Sequence, residues 1–237
     1  MDSHLQELAE RIVRHADDRG VQYCDARAEQ YTKRSARVDD GETEFIKTDQ
    51  HCGIGVRIIY DGAWGFCSIT NPDSFDQVSV HVERAIRDAS HYSRSKKNPV
   101  RLAPISQNRA RIEFPVQKKP SMEEMLEIAQ DCDRTIREKP NIIKSSISPS
   151  YLVSSKYFAS SEGSSILQDF TDVVIHMTAT GHDSGLTQSV DITEGGRGGI
   201  EQITQDDAAY RSADNIAEKA SQLDLSLIHI SEPTRPY

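Results

Sequence analysis

The chain has 237 residues, of which 36% are hydrophobic and 27% charged, and its formal net charge is −9 at pH 7. This is the composition of a soluble globular protein with room for one large domain or two small ones. The acidic balance argues against a nucleic-acid surface, which needs clustered cations. The apolar runs are too short to cross a bilayer, and no secretory signal opens the chain, so a cytoplasmic location is expected.

The first two predicted helices are amphipathic. The first runs from about Ser3 to Arg19, and Gly20 suits the position after its end. The second is predicted to begin at Asn71-Pro72, where Asn can cap the helix and Pro fits its first turn. Their apolar stripes are Leu5, Leu8, Ile12, Val13 and Ala16, and Phe75, Val78, Val82, Ala85, Ile86 and Ala89.

Two more helices are predicted in the second half of the chain. One starts at Ser121, which forms a capping box with Glu124, and stops before Pro140. The last covers about 206–224. Its buried face is predicted to contain Ala209, Ala213, Ile216, Ala220 and Leu223.

Short turns separate the predicted strands. Asp40-Gly41 and Asp61-Gly62 favour hairpins, because both turn positions require positive φ, and Glu162-Gly163 is similar. Residues 151–203 are predicted to form an antiparallel meander punctuated by "GHDSG" and "GGRGG". Hairpin-linked strands with helices grouped between them indicate an α+β protein, a layered α/β sandwich with mainly antiparallel strands.

The polar connection from Ser93 to Lys119 is the best candidate boundary. It divides the chain into segments 1–105 and 106–224, either as separate domains or as parts of one. The connection also contains the basic cluster Arg94-Ser95-Lys96-Lys97, which is interpreted as a solvated linker in preference to a phosphate site.

Metal-binding patterns are absent from the sequence. Cys24, Cys52, Cys67 and Cys132 have no zinc-ribbon spacing and are interpreted as small buried residues. No HExxH or HExxxH motif is present. His176 and His182 lie six residues apart near one strand and could face the same way, but no third ligand accompanies them.

Several glycine-rich and aromatic segments have simpler structural interpretations. "GGRGG" at 195–199 lacks the Lys-Ser/Thr of a phosphate loop and favours a flexible turn. Gly53 and Gly55 are expected to mark a bulge or a close backbone approach. Trp64 and Phe66 share one sheet face and are expected in the core. Arg57 is expected to face solvent or to be paired.

The segment "GIGVRIIYDGAWGFCSIT", residues 53–70, resembles the TldD/PmbA family, known as modulators of DNA gyrase. "YFASSEGSSILQDFTDVVIHMTATG" and "GGRGGIEQI" resemble its second conserved block. The similarity covers about Val21 to Asp224, and "DGAWGF" favours the TldD-type subunit over the PmbA-type partner.

The resemblance implies an intracellular zinc metallopeptidase that acts on short or unfolded peptides. It also implies an N-terminal α+β region, a C-terminal region rich in β-structure, and a dimer, either a homodimer or a pair with a PmbA-type subunit. In TldD-type members a HExxxH helix and a distant cysteine bind zinc, and the glutamate activates water. No position of this sequence matches that motif, so no catalytic or metal residue is assigned.

The segment 225–237 does not follow the pattern of the preceding helix. "LSLIHISEPTR", Leu225–Arg235, resembles the translation of a sequencing adapter. We expect 225–237 to be non-native and the catalytic half to be missing, so the chain alone is expected to be inactive.

Three functional hypotheses follow. The first is the N-terminal part of a TldD-type metallopeptidase, in which Gly196, Arg197 and Gly198 line a peptide cleft and a peptide adds to a sheet edge. The second is a non-catalytic PmbA-type partner or peptide-binding module. The third, direct action on gyrase or DNA, conflicts with the acidic charge.

Overall fold

The computed structural model describes residues 3–183 and 185–222, so the adapter-like segment 225–237 and Leu223 lie outside the described residues. The α+β class is confirmed. The elements are α1 Ser3–Asp18, β1 Tyr23–Asp39, β2 Glu42–Tyr60, β3 Ala63–Thr70, α2 Phe75–Ser93, β4 Arg109–Glu113, α3 Met122–Arg137, β5 Ile142–Ser160, β6 Ser165–Asp183, β7 Leu186–Arg197, α4 Glu201–Thr204, a 3₁₀ turn Gln205–Asp207 and α5 Ala208–Ser221.

The chain divides into two compact units that are interleaved in sequence. The first contains Met1–Thr32, Gln50–Phe114 and Val153–Phe170, and the second contains Lys33–Asp49, Pro115–Leu152 and Thr171–Tyr237. Within the first unit the strand order is β3-β2-β1-β5-β6-β4, with β4 parallel to β6. Within the second unit the order is β2-β1-β5-β6-β7, and β7 is antiparallel to β6.

In the first unit, α1 and α2 cover one face of the strands. The predicted stripe of α1 is buried throughout. It packs with alternate residues of β1 and β2, namely Cys24, Ala26, Ala28, Ile54, Val56 and Ile58. At Gly65 on β3, a Cβ atom would collide with the backbone oxygen of Ala85 in α2. Glycine therefore permits the close contact between this helix and its strand.

Helix α2 begins later than the sequence predicts. Asn71 adopts a left-handed conformation with φ 48° and lies in the turn after β3. Ser74 is the N-cap, and its side chain accepts a hydrogen bond from the Gln77 N–H at 3.4 Å. The prediction of an Asn71 cap was wrong. Asn71 and Ser74 are both residue types that cap helices, but Asn71 forms the turn after β3, and Ser74 therefore caps α2.

In the second unit, α3 and α5 pack against each other and α5 packs on β7. The strand face beneath them includes Val173, Ile175, Met177 and Ala179 of β6, all fully buried. The predicted α5 residues Ala209, Ala213, Ile216 and Ala220 are buried as expected. This alternation along β6 leaves its other residues on the opposite sheet face.

The N-terminus of α3 lies where the sequence predicts it, but the capping box does not form. Ser121 is the N-cap without a side-chain cap hydrogen bond. Glu124 instead accepts a hydrogen bond from Lys118 Nζ at 2.5 Å. The ion pair with a lysine of the preceding loop therefore replaces the reciprocal bond that the motif predicts.

The two Asp-Gly hairpin turns are confirmed. Asp40 and Gly41 have φ 49° and 90°, and Asp61 and Gly62 have φ 46° and 74°. At the third turn only Gly163 has positive φ, at 87°. There the Ser160 N–H donates to the Ser164 backbone oxygen at 3.0 Å, which closes a longer loop between β5 and β6.

Candidate functional site

The glycine-rich segment "GGRGG" is the end of a strand, and its prediction as a flexible turn was wrong for the first three residues. Gly195, Gly196 and Arg197 belong to β7 and lie opposite Val174, Val173 and Asp172 of β6. Gly195 has φ 133°, and a Cβ atom there would collide with the Val173 backbone oxygen. The glycine is required because β6 and β7 approach closely at this point.

Arg197 is held in place by an ion pair with its cross-strand neighbour. Its Nε atom donates to Asp172 Oδ1 at 3.0 Å, and both side chains are part-exposed. A guanidinium presents its N–H donors in a fixed planar fork, so this contact orients the group.

The backbone N–H groups beyond Arg197 are occupied by a carboxylate of the same chain. Glu201 accepts hydrogen bonds from the N–H groups of Gly199, Lys118 and Gln117 at 2.6, 3.1 and 3.2 Å. Burial alone would raise the pKa of Glu201, but these hydrogen bonds outweigh it and lower the pKa. Since an internal anion fills this cluster of donors, it does not resemble an open phosphate-binding loop.

Strand β7 is an edge strand in the second unit. It pairs with β6 from Leu186 to Arg197, and no strand of residues 3–183 or 185–222 pairs with its other side. It is 12 residues long and contains neither lysine nor proline, which are common protections of a free edge. Its outward backbone groups can therefore pair with an added extended segment.

The sheet face opposite the helices is polar along β6 and β7. His176 Nδ1 and His182 Nδ1 each lie 2.9 Å from a threonine Oγ1 on β7, those of Thr193 and Thr187. Thr180 and Ser189 are linked between them at 2.8 Å. The result is a ladder of short hydrogen-bonding side chains on an uncovered face.

The histidines of this ladder are too far apart to share a metal ion. Six residues along a strand correspond to roughly 20 Å. No group of three or more His, Cys, Asp or Glu side chains within the described part of the chain is arranged to hold a metal. The residues present here therefore do not fit the zinc ion that the family resemblance implies.

A second polar cluster, on the first unit, was not identified from the sequence. Asp25 is fully buried, and Asp25 Oδ2 accepts hydrogen bonds from Arg57 Nε at 2.8 Å and from the Tyr23 hydroxyl at 2.7 Å. The Arg57 guanidinium also lies 5.5 Å from the Trp64 ring centroid. The expectation that Arg57 is paired is confirmed. Its partner Asp25 lies 32 residues earlier in the sequence, so no local sequence pattern predicts the pair.

The aromatic side chains next to this cluster are more exposed than expected. Trp64 is half-buried and stacks on Phe66 at 5.7 Å, and 63% of Phe66 is exposed. The prediction that both belong to the core was wrong, because the helices cover the other face of β3. Burial raises the pKa of Tyr23 strongly, and the Asp25 carboxylate adds to this shift, so Tyr23 remains a hydrogen-bond donor.

The four cysteines are free thiols, and the prediction that they are buried holds for Cys24 and Cys132. Cys52 and Cys67 are only half-buried and pack at the margin of the first core. Burial raises the pKa of Cys24 and Cys132 to about 12 and that of Cys67 to about 11. These three thiols therefore do not supply a ready thiolate near neutral pH.

Two family models match most of the chain. Residues 24–92 match PmbA/TldA metallopeptidase domain 1, and residues 116–227 match the PmbA/TldA metallopeptidase central domain. The chain belongs to the TldD/PmbA metallopeptidase family. The second match includes β7 and the glycine-rich segment at its end.

A curated relative, named a metalloprotease, comes from Methanothermobacter thermautotrophicus. It is 24% identical over 196 residues, which are 83% of this chain and 42% of the relative. The chain therefore spans less than half the length of this relative.

Solved structures share the fold at low identity. A candidate modulator of DNA gyrase from Bacteroides thetaiotaomicron has a TM-score of 0.76 at 13% identity, covering 92% of this chain and 50% of that one. A similarly named Thermotoga maritima protein has a TM-score of 0.68 at 14% identity, with coverages of 90% and 47%. TldE from Thermococcus kodakarensis has a TM-score of 0.67 at 14% identity, also with coverages of 90% and 47%. Among the described residues, no helix is both long and apolar enough to span a membrane.

Proposed function

We propose that this chain is the N-terminal part of a TldD-type zinc-dependent metallopeptidase that acts on short or unfolded peptides. Membership of the metallopeptidase family and the chain's coverage of about half of its relatives support this proposal. The zinc ligands of the whole protein would come from a region beyond the residues that match here. The role of the present part is to receive the peptide.

The observation that carries this role is the free side of β7. An unfolded peptide differs from a folded protein in presenting unpaired N–H and C=O groups along an extended backbone. Pairing with an edge strand satisfies these groups and is insensitive to side-chain identity. The free edge of Leu186–Arg197 has the length that such pairing requires and contains neither lysine nor proline.

Gly196, Arg197 and Gly198 would then lie where the peptide leaves the edge. The Gln202 side chain packs against both glycines, because a Cβ atom at Gly196 or Gly198 would come within 3 Å of it. The ion pair with Asp172 fixes the Arg197 guanidinium. A guanidinium binds a carbonyl or carboxylate through charge-assisted hydrogen bonds, and Arg197 would contact the peptide in this way. We therefore propose that Arg197 positions the peptide and takes no part in bond cleavage.

Proline substitutions in the full-length protein test this edge. In an antiparallel pair, consecutive residues direct their N–H groups to opposite sides, so only one of Val190→Pro and Asp191→Pro removes a bond to β6. That variant should be the less stable of the two. The other should retain its melting temperature but lose about tenfold or more in kcat/KM for an unstructured peptide. Unchanged turnover in the stable variant would exclude the β7 edge.

Matched peptides separate edge binding from the proposed catalytic function. A peptide with N-methyl groups on alternate residues should lose binding in one register and keep it in the other. If the full-length protein hydrolyses peptides but shows no such difference, the metallopeptidase proposal stands and the edge proposal fails. If Arg197→Ala leaves KM unchanged, the positioning role of Arg197 is removed.

The second candidate is a non-catalytic PmbA-type partner subunit, and a structural match to TldE favours its inclusion. Sequencing the source DNA past the codon for Asp224 distinguishes the two. A frame that continues into HExxxH and a later cysteine supports the TldD-type enzyme, whereas a long frame without that motif supports the partner. Under either proposal the protein is cytoplasmic and dimeric, as a homodimer or a TldD–PmbA-type pair.

Direct action on DNA is not favoured by the charge of the chain. The net charge of −9 opposes association with the phosphate backbone, whose binding depends on clustered cations. Retention on DNA-cellulose at low salt would contradict this expectation.

A further inference from the structure

The first unit contains a cavity on the sheet face that its helices leave uncovered. The volume of this cavity is about 480 Å³, within the range of small-molecule sites. Its side chains come from four adjacent strands, β1, β5, β6 and β4. The principal ones are Arg27, Ile112, Lys156, Phe158, Ile166 and Gln168. None of them belongs to the proposed peptide edge on β7.

The floor of the cavity is apolar. Phe158 lies between Tyr157 and Ala159, which pack in the core beneath the helices, so the Phe158 ring faces the other side of the sheet. The backbone hydrogen bond that closes the β5–β6 loop sets the register of this hairpin and places Ile166 opposite Phe158. Ile112 of β4 extends the apolar surface. A planar apolar group can therefore lie on this floor.

The charged side chains beside the floor carry one surplus positive charge. Arg27 Nε lies 3.4 Å from Asp25 Oδ1, whereas Arg57 makes two closer contacts with Oδ2 of the same carboxylate, at 2.8 and 2.6 Å. Lys156 Nζ lies 3.1 Å from Glu29 Oε1. Three cations thus accompany two carboxylates, and Arg27 is the least compensated of the three. A ligand with a single negative charge matches this surplus.

The polar groups of the cavity lie around the Phe158 ring. The guanidinium carbon of Arg27 is 5.5 Å from the ring centroid. Lys156 precedes Phe158 by two residues on β5, so both side chains are on the same face of the sheet. Gln168 lies opposite Ile112, is half-buried and makes no hydrogen bond within the described part of the chain. An aromatic surface is therefore combined with two cations and an available amide.

We propose that this cavity binds a planar aromatic carboxylate. Its ring stacks on Phe158, and its carboxylate accepts charge-assisted hydrogen bonds from Arg27 and Lys156. Gln168 forms a hydrogen bond with a polar substituent of the ring. An aliphatic carboxylate would lose the stacking, and an aromatic alcohol would leave the surplus charge unmatched. This binding does not depend on peptidase activity.

Calorimetric titration of the chain with 2-naphthoate, 2-naphthylmethanol and decahydro-2-naphthoate tests the proposal. 2-Naphthoate should bind saturably. The alcohol should bind about tenfold more weakly, because it lacks the charge, and the saturated acid about fivefold more weakly, because it lacks the aromatic face. If 2-naphthoate does not bind saturably, or if either of the other compounds equals it in affinity, the proposal is overturned.

Two variants and a control assign the site. Arg27→Gln should weaken 2-naphthoate binding about tenfold without changing the melting temperature, because this arginine is exposed, and the exposed Arg84→Gln should change neither. Phe158→Leu should weaken 2-naphthoate binding about fivefold and leave decahydro-2-naphthoate binding unchanged, a difference that a general loss of stability would not produce. Full 2-naphthoate affinity in Arg27→Gln, or equal losses for both acids in Phe158→Leu, would contradict the assignment.

Discussion

Arg57 and Asp25 form a two-atom contact in which Arg57 Nε and Nη2 lie 2.8 and 2.6 Å from Asp25 Oδ2. The aspartate is fully buried while the arginine remains part-exposed. The pair joins adjacent strands β1 and β2 beneath the Trp64 ring. The arginine therefore compensates a carboxylate that water cannot reach.

Arg57→Met is expected to lower the free energy of unfolding by about 2–3 kcal/mol, because it leaves the buried Asp25 charge with the Tyr23 hydroxyl and the more distant Arg27 Nε, 3.4 Å from Oδ1, as its remaining partners. Arg84→Met is the control, since Arg84 and Asp88 are exposed and 4.0 Å apart. Its cost should be below about 0.5 kcal/mol. Urea unfolding measures both, and equal costs would show that the Asp25–Arg57 pair does not stabilise the fold.

Gly65 and Gly55 form a matched pair for alanine substitution. A Cβ atom at Gly65 would collide with the Ala85 backbone oxygen, whereas nothing lies within 4 Å of one at Gly55. Gly65→Ala should cost about 2 kcal/mol or more, because helix α2 must move. Gly55→Ala should be neutral or stabilising by up to about 1 kcal/mol. Thermal unfolding compares them, and a tolerated Gly65→Ala would contradict the close helix–strand contact.

Glu201 is expected to make the second unit sensitive to acid. Its folded-state pKa lies below the ordinary value of 4.5, so its contribution is present above that value and lost as the pH falls through the lower folded pKa. Glu201→Gln should therefore remove part of the stability difference between pH 6 and pH 3. Glu44→Gln, at an exposed position in β2, is the control, and identical pH profiles for both variants would refute this role.

Cys24, Cys67 and Cys132 should react slowly with iodoacetamide at pH 8 in the folded chain, because burial keeps the thiols protonated. Mass spectrometry after brief labelling measures each site. Labelling in urea provides the control, since unfolding should make all three reactive. Rapid native labelling of Cys132 would show that α3 opens readily.

The sequence predicts features that depend on neighbouring residues. The helix faces follow from spacing alone, and the Asp40-Gly41 and Asp61-Gly62 turns follow from a backbone requirement that few residues meet. Features set by distant residues were missed. Asp25 and Arg57 are 32 positions apart, and Lys118 competes with the Ser121 capping box from outside the helix.

Sequence alternation also cannot tell which sheet face a helix covers. Trp64 and Phe66 alternate with Gly65 and Cys67, and the larger pair is the natural choice for the core. The fold instead directs the smaller pair toward the core, with Gly65 buried and Cys67 half-buried, because α2 packs closely over Gly65. In the same way, "GGRGG" has the composition of a turn, but Gly195 to Arg197 are the last residues of β7. They pair with β6 where Gly195 lies close to the Val173 backbone oxygen.

The interleaving of the two units sets an order of events during synthesis on the ribosome. The part of β1 that belongs to the first unit ends at Thr32, whereas the part of its neighbour β5 in that unit begins at Val153. At elongation rates of about 5–20 residues per second, roughly ten seconds pass between these two points. During that interval the inner edge of β1 is open to other nascent chains. Chaperone binding early in translation would protect this edge.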